Sequence, residues 1–79
     1  MPVTDPTLDP SVRILRLREA VRYHDLRAWF YGRRYAQTGR PSYAALREEA
    51  ELAGDIGRAE IADIIREHGP WASMGCPLV

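Results

Sequence analysis

Between positions 10 and about 37, Ile14, Leu17, Val21, His24, Ala28, Tyr31 and Tyr35 recur at steps of three and four. That period places them along one stripe of an α-helix. Val12, Leu15, Tyr23, Leu26 and Phe30 form a second stripe on the other side. Arginines fill the flanks, with Arg16, Arg27 and Arg34 on one and Arg18, Arg22 and Arg33 on the other. A helix with two apolar stripes must bury both. It either runs through the centre of the fold or pairs with a second copy, so the pattern points to a homo-oligomer. Asp9 followed by Pro10 reads as an N-cap with proline in the first turn. A break near His24 and Asp25, with Asp25 capping a second helix, is the alternative to one continuous helix. Gly32 weakens the helix locally by up to about 1 kcal/mol relative to alanine.

The stretch TGRPS, residues 38–42, predicts a turn. Ser42 then caps a short helix to about position 53, with Tyr43, Leu46, Ala50 and Ala53 as its apolar positions. Gly54 ends that helix as a C-cap glycine would. A last helix covers 58–68, with Ile61, Ile64, Ile65 and His68 on one face and Glu60, Asp63 and Glu67 on the other. Gly69-Pro70 stops it. No alternating strand pattern occurs. The expected fold is all-α: a long basic N-terminal helix followed by two short acidic helices. Residues 1–9, with Pro2 and Pro6, form an extended arm, 10–69 the helical domain, and 70–79 an apolar tail. Trp71, Met74, Leu78 and Val79 give the tail its apolar character, and Trp71 is expected to pack into the groove between the first and last helices.

A chain of 79 residues makes one domain with a thin core. The single cysteine, Cys76, allows neither an internal disulfide nor a cysteine-based zinc site, which fits a reducing, cytoplasmic setting. No apolar run approaches the roughly 20 residues of a membrane span, and the first ten residues lack a signal-peptide pattern. All 11 basic residues are arginine, and they balance 11 acidic ones. The balance is not local. Residues 11–40 carry Arg13, Arg16, Arg18, Arg22, Arg27, Arg33, Arg34 and Arg40 against Glu19 and Asp25, whereas residues 41–79 are acidic. Such segregation can mark a nucleic-acid surface, or two halves that neutralise each other.

The stretch AALREEAELAGDIGRAEIADIIREHG resembles a helix-turn-helix and, more loosely, a helix–extended-loop–helix module of the SAP type with GRAEIADII as its second helix. The resemblance covers residues 44–69 and implies a DNA-binding transcription regulator. The would-be recognition helix, however, displays Glu60, Asp63 and Glu67, leaving Arg58 and Arg66 to face phosphate. The first helix offers a second route. Arg33, Arg34 and Arg40 cluster beside Trp29, Phe30, Tyr31 and Tyr35, a combination suited to phosphate contact with base stacking. Three consecutive aromatics point in three directions on a helix, so at most two of them can be buried against a single neighbour. His24 reads as a hydrogen-bonded core residue and His68 as a cation at a helix end. No metal-ligand spacing, phosphate-binding glycine loop or catalytic constellation occurs, so neither a cofactor nor an enzymatic activity is expected. The expectation is a small non-enzymatic, nucleic-acid-associated regulator bound through the arginine face of residues 13–40. Its contact residues would be Arg16, Arg27, Trp29, Arg33, Arg34, Arg40 and Arg58, with Trp71 as the tail contact. The alternative is a protein-interaction module, an adaptor or accessory subunit, using aromatics and complementary charge.

Overall fold

The computed structural model describes residues 3–74. Two long helices, α1 (Pro10–Thr38) and α2 (Pro41–His68), form an antiparallel hairpin, and a single turn, α3 (Trp71–Met74), closes its open end. There is no strand among the described residues. A 29-residue helix is about 43 Å long, and the molecule measures 44 × 26 × 17 Å.

The start of α1 follows the sequence reading. Asp9 Oδ1 accepts from the Ser11 N–H at 2.9 Å, and Pro10 occupies the first turn. The helix then continues through His24 and Asp25 without a break. It ends at Gly39, whose φ of 68° lies in the left-handed region that favours glycine, and whose N–H donates to the Tyr35 carbonyl at 2.7 Å. Only Gly39 and Arg40 separate the two helices, so the chain reverses within one turn.

Two expected boundaries are corrected. Ser42 is not a cap: the start of α2 lies two residues earlier, with Arg40 at the N-cap position and Pro41 in the first turn. More consequentially, the two short helices of 42–53 and 58–68 are one helix. Gly54 and Gly57 lie inside it, both are buried, and neither has the positive φ a C-cap glycine would need. The reason is packing. A β-carbon on Gly57 would stand 2.7 Å from Val21 Cγ2, so α1 and α2 approach closely here and only glycine leaves room. With no turn between residues 41 and 68, the helix-turn-helix resemblance does not carry into the structure.

The buried core is small and sits toward the open end. Ile14, Leu17, Ile64 and Ala72 form it, with Ile61 and Ile65 packed around them. Burying such large aliphatics contributes on the order of 2 kcal/mol each. The expectation for Trp71 is also corrected: it is 56% exposed, and Ala72 takes the buried place. An α3 of one turn can turn only one side inward, and it is Ala72 that joins the cluster of Ile14, Leu17 and Ile64 there. Cys76, Leu78 and Val79 lie outside the described residues. The arm is tied down by its own contacts. Glu60 Oε2 accepts from the Thr4 hydroxyl at 2.6 Å and the Thr4 N–H at 3.1 Å, and Glu60 Oε1 accepts from the Val3 N–H. Arg13, 8% exposed, donates through Nε to Thr4 Oγ1 and pairs with Glu60 at 3.5 Å.

Candidate nucleic-acid interface

Toward the closed end of the hairpin, residues 26–47 contain Arg27, Arg33, Arg34, Arg40 and Arg47 and not one carboxylate. Just beyond them, Glu48 and Glu51 lie beside Arg47, which pairs with Glu51 at 3.7 Å. The turn gathers the arginines. Arg40 belongs to the connection itself, and Arg47 lies one to two turns into α2, with its side chain beside Gly32 of α1. Thr38 stiffens the reversal, its hydroxyl donating to the Arg34 carbonyl at 2.8 Å and accepting from the Arg40 N–H at 3.2 Å.

The packing at this end is aromatic. Tyr31 and Tyr43, half-buried, stack across the two helices with centroids 6.4 Å apart and ring planes 28° from parallel. Phe30 meets Tyr31 edge-on at 5.6 Å. The arginines rest on these rings. The Arg33 guanidinium lies 5.2 Å from the Trp29 centroid. Arg34 lies 5.9 Å from both Phe30 and Tyr43, and Arg27 lies 5.6 Å from Tyr23 and 5.9 Å from Tyr31. Guanidinium planes are drawn to ring faces by the ring quadrupole, which limits their freedom while leaving their N–H groups unspent. Arg33, Arg34 and Arg40 have no ion-pair partner among the described residues. Trp29, 61% exposed, joins Phe30, Arg33, Arg34 and Gln37 around a shallow depression of about 270 Å³.

The expected contact residues therefore divide. Arg27, Trp29, Arg33, Arg34 and Arg40 share the closed end, although Arg27 is half-buried and places Nη1 3.0 Å from His24 Nδ1. Arg16 is exposed, but it lies about 26 Å along the helix from Arg33. Arg58 is committed elsewhere: Nη1 bridges both carboxylate oxygens of Asp25 at 3.1 and 3.2 Å, and Nη2 donates to Asp55 Oδ1 at 2.9 Å. These hydrogen bonds, the one to Asp55 first and then those to Asp25, hold its protonated form still more firmly. Trp71 belongs to the opposite end. Sequence reasoning missed Gln37 and Arg47. The available signal was the run of 22 residues without a carboxylate, which crosses the helix boundary and becomes one surface only when the chain folds back.

No group of three His, Cys, Asp or Glu among the described residues is placed to hold a metal ion. No helix among them is long and apolar enough to cross a membrane. Comparison with protein families, curated proteins and solved structures finds no match for the chain.

Proposed function

We propose that this protein is a non-enzymatic nucleic-acid-binding element that works through the closed end of its hairpin. One observation carries the reading: Arg33, Arg34 and Arg40 stand at this end with no ion-pair partner among the described residues, and three guanidiniums, those of Arg27, Arg33 and Arg34, are seated over aromatic rings. Phosphates need cations not already neutralised, and Arg33, Arg34 and Arg40 meet that requirement. Unpaired bases need ring faces and planar cations, and Trp29, Phe30 and the depression beside them offer both. An α-helical surface made this way tracks a strand by charge and stacking, so it favours single strands and unpaired segments over duplex.

Fluorescence anisotropy with labelled mixed-sequence single strands, at about 50 mM and about 200 mM salt, tests it. Arg33→Ala/Arg34→Ala should weaken binding at least about tenfold and reduce the salt slope by about 1.4, two phosphate contacts' worth on a single strand. Trp29→Ala should cost a further 1–3 kcal/mol, about the value of one stacked base. A wild-type protein that leaves single strands unbound at the lower salt would sink the proposal.

The protein-interaction reading is favoured by a different observation. Val12 and Leu15 are exposed on α1 well away from the closed end, and aliphatic side chains contribute nothing to phosphate recognition.

A further inference from the structure

The hairpin covers one of the two apolar stripes of α1 from Ile14 to Tyr31 and leaves the other in solvent. Val12, Leu15, Tyr23, Leu26 and Phe30 are all exposed, Leu26 to 61%, on the side turned away from Ile14 and Leu17. The stripe runs for about 27 Å, five turns of helix. Together with Trp29 at its edge, the exposed parts of these side chains amount to roughly 600 Å² per chain, near the ~800 Å² per partner of a standard interface. A surface of that extent stands at the upper end of what a typical monomer exposes, about 300–600 Å², and patches of that size are often functional.

The stripe is close to a mirror image of itself about position 21. Laid antiparallel against a second copy, Val12 falls opposite the partner's Phe30 and Leu15 opposite the partner's Leu26. Glu19, the one carboxylate within the stripe, falls opposite the partner's Tyr23 and within one residue of the partner's Arg22. A two-fold axis generates each contact twice, as an isologous interface requires. We infer that this face of α1 is the interface of a homodimer in which the two α1 helices cross antiparallel near position 21.

Charge sets the character of this contact. Arg16, Arg22 and Arg27 flank the stripe, and Arg16 would lie near the partner's Arg27, so like charges oppose the apolar attraction. The contact is therefore held by apolar burial and by Glu19, and added salt screens the repulsion. Helices crossing at the usual 20–50° separate within about three turns of the crossing point. Arg33, Arg34 and Arg40 thus lie beyond the contact, while Arg27, Trp29 and Phe30 are shared with the closed-end surface.

Sedimentation equilibrium of the full chain, from low to high micromolar concentration at low and high salt, tests the inference. The expected result is a monomer–dimer equilibrium that tightens or holds as salt rises. Leu26→Glu should weaken it at least tenfold while leaving the helical circular-dichroism signal unchanged, since Leu26 contributes nothing to the buried core. Leu52→Glu, at an equally exposed position of α2, should leave it unchanged. A monomer across the whole range overturns the inference. So does a Leu52→Glu variant that dissociates, or an assembly that grows past two copies and dissolves in salt. The last result would mean that the basic face of α1 meets the acidic α2 of the next molecule. Single-strand binding is read in a separate measurement, so either proposal can fail alone.

Discussion

Among single residues, Glu60 carries the sharpest energetic consequence. Burial pushes its carboxyl pKa up, but hydrogen bonds from the Thr4 hydroxyl, the Val3 and Thr4 N–H groups and Arg13 outweigh burial and hold it below the ordinary carboxylate value. A depressed folded-state pKa contributes stability that is fully present above the unfolded value, about 4.3, and lost as pH falls through the folded one. Thermal midpoints should therefore drop on acidification below about pH 4, and Glu60→Gln should flatten that drop. Asp5, lowered by the Thr7 N–H and hydroxyl, titrates in the same window, so the comparison between wild type and Glu60→Gln isolates the clasp. At neutral pH, Glu60→Ala leaves Arg13 buried without its carboxylate and should cost about 2 kcal/mol, or roughly 10 °C in midpoint. Sequence spacing placed Glu60 on the solvent side of its helix. An arm 56 residues away in the chain covers it, a contact that local periodicity cannot encode.

At the scale of elements, the two buried glycines of α2 test why it is one helix. Gly57→Ala gains about 1 kcal/mol of helix propensity but drives its β-carbon into the stiff, β-branched Val21. Overpacking of this kind costs about 1–3 kcal/mol, so the variant should be less stable than wild type by urea unfolding. Val21→Ala in the same chain should restore part of the loss. Gly54→Ala presents its β-carbon to the ends of Arg58 and Asp25, at 3.0 and 3.2 Å, an exposed pair that needs to give by only a few tenths of an ångström. It should be neutral or stabilising by up to about 1 kcal/mol. If Gly54 were a helix end, both variants would behave alike. The existence of α1 was legible in its three–four periodicity, and its start in Asp9-Pro10. The continuity of α2 was not, because a glycine reads as a terminator until a neighbouring helix occupies the space its missing side chain leaves.

For the whole molecule, the shape is the fact from which the rest follows. The radius of gyration is 15.1 Å, against about 12 Å for a compact domain of this length. An elongated hairpin with so few buried side chains is marginal as a monomer, and dimerisation would add to its stability by mass action. The thermal midpoint of the wild type should rise with protein concentration, and that of Leu26→Glu should not. What the sequence by itself determined is the set of local properties: an all-helical chain, two apolar stripes on α1, arginine in the first half and carboxylates in the second. Each depends on residues within a few turns of one another. The tertiary structure alone decided which stripe α1 buries, that Gly54 and Gly57 are packing sites, that Glu60 anchors the arm, and that Arg40 and Arg47 join Arg33 and Arg34 at one end. Those outcomes depend on where a two-residue turn folds the chain back, and on how closely two helices then approach, quantities that no stretch of either helix contains.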